Sequence, residues 1–238
     1  MVESYVAVDL EMTGLHAKTD RILEIGAVKV EKGKCSSVFH RMVDPKIKVP
    51  IQITELTGIT DEMVKYGCNT EMAVAGFVEF AQGFPLVGHN IMFDYSFLKQ
   101  CAVNQGIAFE KEGIDTLKLA REFLPEAEKK TLEYLCAYLN IPRGRNHRAL
   151  EDAMAADFLF RYLSEQFGEA EPGAFLPKPL LYKVKKQSPA TKRQKKYLKE
   201  LEAWHKIDLD VEIDSLTRSE ASRITNRVLK AYGKAPRK

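Results

Sequence analysis

The sequence predicts an α/β fold, a mixed β-sheet flanked by helices, followed by a small C-terminal helical module. Three observations predict it. Three apolar, β-branched segments follow one another near the N-terminus. Helical periodicity then alternates with short apolar runs as far as residue 167. Beyond that, a proline-rich stretch leads into a basic segment with two more helical patterns.

The elements follow in order. Ser4–Leu10, Ile22–Val30 and Ser36–Val43 read as strands, with breaks at Gly14 and Gly33, and suggest a meander. The spacing predicts a helix over 70–81, a short buried strand at Pro85–Val87, and helices over 91–104, 115–124, 131–139 and 149–167. These define a first domain, 1–168. A linker is expected at 169–190, which holds four of the ten prolines (Pro172, Pro177, Pro179, Pro189) and apolar residues able to dock, such as Phe175 and Leu180. A basic helical module is expected at 191–238. Thr191 with Gln194, and Thr217 with Glu220, have capping-box spacing. Tyr197, Leu201 and Trp204 form the apolar stripe expected of its first helix, and Ala221, Ile224, Val228 and Tyr232 that of its second.

Composition bounds the function classes. The chain has 238 residues, 45% hydrophobic and 29% charged, which excludes wholesale disorder and collagen. No apolar run approaches the ~20 residues of a membrane span. The N-terminus shows no signal-peptide pattern, and four cysteines lack any C-x-x-C pair, so a reducing cytoplasm is expected. Charge is unevenly divided. Residues 1–175 carry 19 basic and 26 acidic residues, net −7; residues 176–238 carry 17 and 7, net +10. Chemistry and attraction of polyanions are thus expected in different segments.

Four acids stand where acids are costly. Asp9 and Glu11 end an apolar strand and point to one face. Asp94 is in register with Ile91, Leu98 and Cys101, and Asp152 with Ala149, Ala156, Leu159 and Leu163. No basic residue is expected beside them, and Asp157 is expected at the surface. Like charges so placed need a cation, and an oxygen-only set suits Mg²⁺ or Mn²⁺. Two such ions can clamp an in-line phosphoryl transfer. His147, in a loop five residues before Asp152, is placed to take a proton. Zinc is a poor fit, because His89 and His147 lack ligand-like partner spacing.

Together these segments resemble the DEDDh (DnaQ-like) 3′–5′ exonucleases, the family that includes the proofreading epsilon subunit of bacterial DNA polymerase III. The motifs are Asp9-Leu10-Glu11-Met12-Thr13-Gly14, His89-Asn90 with Phe93-Asp94, and His147-Arg148-Ala149-Leu150 with Asp152-Ala153. Ile22–Ala27 and Leu56–Thr60 are similar to further family segments. Histidine five before the last aspartate marks the His subclass; the Tyr subclass has tyrosine where this chain has Arg148. The resemblance covers residues 4–165. It implies an RNase H-like fold, two Mg²⁺ or Mn²⁺ ions on Asp9, Glu11, Asp94 and Asp152, and His147 as general base. It implies release of nucleoside 5′-monophosphates from single-stranded 3′ ends. Met12, Thr13, Gly14 and Leu15 would hold the terminal nucleotide, with backbone groups near Met12 and Thr13 on the 3′-hydroxyl and Leu15 wedged against the end bases. Asn90 and Phe93 would line the strand.

Met12 departs from the threonine common in proofreading members, and the string Asp9–Leu15 resembles oligoribonuclease. The expectation favours DNA over RNA, in proofreading or repair, with a DNA polymerase as candidate partner and no membrane. The alternatives are an oligoribonuclease-like or RNA-trimming enzyme and, from another class, a non-catalytic nucleic-acid or polymerase-binding module. The basic tail resembles a helical appendage of some bacterial and phage nucleic-acid proteins. Its lysines and arginines, with Tyr182, Tyr197 and Tyr232, are expected to hold single strands; a solvated face or a polymerase-docking surface are the alternatives.

Overall fold

The computed structural model of the chain describes residues 2–142, 144, 147–184 and 186–234. Two compact units emerge. The first comprises Met1–Pro45 with Val49–Val184, the second Lys46–Lys48 with Lys185–Lys238.

The first unit is built on a six-stranded mixed sheet of order β3-β2-β1-β4-β5-β6. Its strands are β1 (Tyr5–Met12), β2 (Ile22–Glu31), β3 (Lys34–Met42), β4 (Leu86–Gly88), β5 (Glu112–Asp115) and β6 (Lys178–Pro179). The expected meander is present: β1 to β3 pair antiparallel in succession. β4 then adds parallel to β1. Strand parity divides the core in two. Val6, Val8 and Leu10 face one layer, with α3 (Thr70–Phe80) and α4 (Met92–Gln105). Tyr5 and Ala7 face the other, with α5 (Thr116–Phe123), α6 (Leu132–Tyr138) and α7 (Ala149–Phe167). Asp9 and Glu11 continue the parity of Tyr5 and Ala7, so they project toward the α7 side.

Gly26 of β2 is required there. A Cβ on it would lie 2.1 Å from the Leu150 amide nitrogen, so the N-terminus of α7 rests directly on the strand. Two short helices, α1 (Ile51–Thr57) and α2 (Asp61–Lys65), were absent from the sequence expectation. They are too short to show periodicity and rich in β-branched residues. Packing holds them, through Ile53, Ile59 and Val64 against Leu23 and Val49.

The proline-rich stretch behaves differently from a linker as far as Val184, where the first unit ends. Phe175 is buried and stacks on Phe123, which also stacks on Phe167. β6 takes its proline at the sheet edge, where no ladder N–H is lost. Leu180 is buried in the α3/α4 layer.

The second unit contains α8 (Lys192–His205) and α9 (Arg218–Tyr232) around a core of Leu198, Leu201, Leu209, Ile213, Ala221, Ile224 and Val228. Both expected capping boxes form, Thr191 with Gln194 and Thr217 with Glu220. A segment from far upstream completes the unit: Ile47 bridges Val211 antiparallel, and Lys46 accepts from the Glu212 amide at 2.9 Å. Two expectations are corrected. Tyr232, expected in the apolar stripe of α9, is 56% exposed. Leu198, not Trp204, joins Leu201 in the buried stripe, and Trp204 is 58% exposed. Among the described residues no helix is long and apolar enough to cross a membrane.

Candidate active site

The end of β1 collects the acids. Carboxylate oxygens of Glu11 and Asp152 and an imidazole nitrogen of His147 all lie within 4.8 Å of one another. β1 carries Glu11, the first turn of α7 carries Asp152, and the preceding loop carries His147. Asp152 is 5% exposed and accepts from the His147 amide at 3.1 Å. That bond ties the loop to the helix, with His147 held at φ +56°, a left-handed conformation uncommon for a non-glycine residue. Asp94 enters from the first turn of α4. It is 4% exposed, and its carboxylate accepts from the Leu10 amide at 3.0 Å. Asp9 sits two residues before Glu11 on the same face, half-buried, opposite Gly26.

The electrostatics follow from this crowding. Burial, and then the negative charges of Asp152, Glu24 and Asp94, push the Glu11 carboxyl up to about 8, with Arg148 opposing. Burial also raises Asp94, against the amide hydrogen bonds it accepts, and Asp115 adds to the rise. Carboxyls raised by burial and by neighbouring acids are a donor set short of positive charge. An oxygen-rich set with one imidazole fits a divalent cation such as Mg²⁺ or Mn²⁺.

Arg148 corrects the expectation that no base stands near. It donates from Nε and Nη2 to the wholly buried Glu24 at 2.7–3.2 Å. Glu24 also accepts from the Ala149 amide at 3.1 Å and lies 2.6 Å from His40 Nε2. Burial alone would raise Glu24; the hydrogen bonds from Arg148, His40 and Ala149 overcome it and hold the carboxyl below its usual range. The residues flanking His147 and opening α7 are thereby fastened to β2. An acid inside the apolar run Ile22–Val30 was the signal for Glu24 in the sequence.

The other expected residues are distributed as follows. Met12 and Thr13 are buried. The Thr13 amide, which the resemblance offers to a 3′-hydroxyl, donates to the Arg21 carbonyl at 2.8 Å, and its hydroxyl accepts from the Arg21 amide. A Cβ on Gly14 would meet the Asp20 carboxylate at 2.6 Å. Leu15 stands 75% exposed at the rim. Asn90 is exposed at φ +69°, its amide donating to Asp115 at 2.9 Å. Phe93 is half-buried, edge-on to Phe97. His89 is occupied structurally, with one ring nitrogen 3.0 Å from the Thr116 hydroxyl and the other 2.7 Å from the Lys130 carbonyl. Asp157, expected at the surface, is buried, accepting from the Tyr5 hydroxyl at 2.5 Å and from Arg161.

Comparison with known proteins shows the family. The model of the exonuclease family RNase_T matches residues 6–159. PolC-type DNA polymerase III of Clostridium perfringens is 36% identical over 167 residues, 70% of this chain and 12% of that protein. The Caldanaerobacter subterraneus homologue is 38% identical over 165 residues, 69% of this chain and again 12% of the relative. This chain therefore spans about an eighth of those polymerases. Among solved structures, exonuclease X in complex with 5′-overhanging duplex DNA aligns with TM-score 0.55 and 25% identity, over 69% of this chain and 93% of that one. Escherichia coli exonuclease I in complex with a dT13 oligonucleotide shares the fold, with TM-score 0.62 and 16% identity over 73% of this chain and 43% of that one. The chain belongs to the RNase_T exonuclease family, and its first unit is a DnaQ-like exonuclease domain of RNase H-like fold.

Proposed function

We propose that the protein is a divalent-metal-dependent 3′–5′ exonuclease that releases nucleoside 5′-monophosphates from single-stranded 3′ ends, DNA in preference to RNA, in replication-linked proofreading or repair. One observation carries the reading: Glu11, Asp152 and His147 converge within 4.8 Å beside the buried Asp94. Asp9, Glu11, Asp94 and Asp152 would hold two Mg²⁺ or Mn²⁺ ions, which supply Lewis-acid stabilisation of a phosphoryl oxygen when bound. His147 accepts a proton from the attacking water, and the Asp152 bond to its amide keeps the ring at the mouth of the acidic cluster. Leu15 wedges against the terminal base, while Phe93 and Asn90 border the strand. The match to PolC-type polymerases supports a replication setting and a polymerase partner.

The test compares 5′-labelled single-stranded DNA and RNA of one sequence with Mg²⁺, Mn²⁺ or excess chelator. Stepwise shortening from the 3′ end, faster on DNA and absent in chelator, is expected. Faster shortening of RNA would transfer the reading to an oligoribonuclease-like enzyme, as the Asp9–Leu15 string allows. Unchanged shortening in chelator would overturn it.

A further inference from the structure

The second unit carries a surface that the exonuclease reading leaves unused. Leu198 and Leu201 face its core, so the opposite side of α8 looks outward. On that side Lys192, Lys196, Glu200 and Trp204 follow one another at i, i+4, i+8 and i+12, a row about 18 Å long. A shallow recess of about 470 Å³ lies along it, lined by Lys192, Lys195, Lys196 and Lys199 with Glu200 and Asp214. Two of these lysines are held in place. Lys199 donates to the Asp214 carboxylate at 2.8 Å, and Lys195 to the Asp214 carbonyl at 2.7 Å. One acid from a neighbouring turn thus spaces two cations along the wall. Where the row ends, Trp204 is 58% exposed.

Cations in a line, ending in an open aromatic face, match a ligand with regularly spaced negative charges and flat apolar groups. The first 175 residues are net −7, so long-range attraction of such a ligand must come from elsewhere in the chain. We propose that the outward face of α8 binds single-stranded nucleic acid, with Lys192, Lys196 and Lys199 meeting phosphates and Trp204 stacking on a base. This deepens the exonuclease reading by adding a strand-holding site on the same molecule. A second point of attachment on the same chain raises the effective concentration of a strand long enough to engage both sites. Recognition is sequence-tolerant, because every base has a face to stack.

Trp204 is the only tryptophan in the chain, so its fluorescence reports this site alone. The experiment uses the full chain in excess chelator, titrated with single-stranded dT20 and, separately, inorganic polyphosphate. Saturable quenching by dT20, weak with polyphosphate and weakened by salt, is expected. Lys192→Glu, Lys196→Glu and Lys199→Glu combined should lower the salt slope by about 2, as three lost phosphate contacts require. Trp204→Ala should weaken dT20 binding about fivefold to a hundredfold by anisotropy, and Trp204→Phe should restore most of it. Turnover of the p-nitrophenyl ester of thymidine 5′-monophosphate with Mg²⁺ should be unchanged in all variants, since that ester needs only the catalytic cluster. Unquenched emission, or an unaltered salt slope in the triple variant, overturns the proposal and leaves the face to an acidic protein. Failure of the wild-type protein on the ester would instead overturn the exonuclease reading and leave the binding result standing.

Discussion

The two units treat charge in opposite ways. The catalytic unit takes it inside: Glu24, Asp94, Asp152 and Asp157 are all buried there. In the C-terminal unit Glu220, whose job is to cap α9, is the buried acid among the described residues, and none of the described lysines and arginines is buried. A buried charge costs several kcal/mol unless partners meet it. Glu24 and Asp157 have such partners in Arg148 and Arg161; around Glu11, Asp94 and Asp152 negative charge predominates. The contrast separates acids paired with arginine from the clustered acids proposed to hold metal, within a single unit.

The largest effect should come from the clustered acids. Asp152→Asn keeps an acceptor for the His147 amide but removes a charge from the cluster. Hydrolysis of 5′-labelled single-stranded DNA should fall about a thousandfold, from the several kcal/mol that metal stabilisation of a phosphoryl oxygen supplies. Thermal stability should hold or rise, because a like charge has gone. A variant keeping a tenth of its activity would erase the distinction between the two kinds of acid.

Glu24→Gln tests the paired kind. Neutralising Glu24 breaks its buried ion pair with Arg148 and should cost about 3–5 kcal/mol in denaturant unfolding. Because Glu24, Arg148 and Ala149 fasten the start of α7, kcat should also drop about ten- to a hundredfold with little change in KM. The pH dependence has a definite sign. A carboxyl held below its usual value contributes stability above the ordinary glutamate range and loses it as pH falls through the lowered value. Wild type should therefore lose part of its margin over Glu24→Gln below about pH 4. A constant difference across that range would mean that Glu24 acts through packing alone.

Matched core lesions sharpen the comparison of size. Leu163→Ala in α7 and Leu201→Ala in α8 each empty a fully buried leucine site, at a cost of about 2–5 kcal/mol. A core of some fifty residues supplies only about 3–5 kcal/mol in total. Hydrogen exchange should show protection collapsing over 186–234 in Leu201→Ala while β1 and β2 stay protected. In Leu163→Ala both units should remain folded, with a lower midpoint. Collapse of both units in Leu201→Ala would show that they are one cooperative structure.

Most of the first unit is legible in the sequence for the same reason that the acids are. Long strands and long helices repeat a pattern often enough to reveal a face, and an acid on an apolar face is then conspicuous. Asp94 and Asp152 were readable because four-residue and seven-residue neighbours were apolar or small. Glu24 was harder, since a fully buried strand has no polar alternation to depart from. Asp157 was misjudged because its partners, Tyr5 and Arg161, meet it from strand β1 and along the helix, where local spacing says nothing about burial. β5 and β6 have four and two residues, too few to show a period. In the second unit Tyr197, Leu201 and Trp204 and the true stripe of Leu198 and Leu201 differ by a rotation of about one residue. A two-turn pattern in a charged helix cannot fix that rotation, and packing against Ile213 and Ile224 does.

The smallest effect concerns the devices by which the second unit makes up for its size. Both its helices open with complete capping boxes, in which threonine and the third residue each satisfy an amide of the other. Thr191 accepts from the Gln194 amide at 3.2 Å, and Gln194 accepts from the Thr191 amide at 3.0 Å. In a large unit the loss of one cap, about 1 kcal/mol, would disappear into the margin. Here it is a substantial fraction of the whole. Thr191→Ala should lower the unfolding midpoint of residues 186–234 by exchange without moving that of β1, and Thr191→Ser should restore it. Equal sensitivity of the two units to caps of the same strength would show that the second is no less stable than the first, and would remove the reason for its reliance on caps.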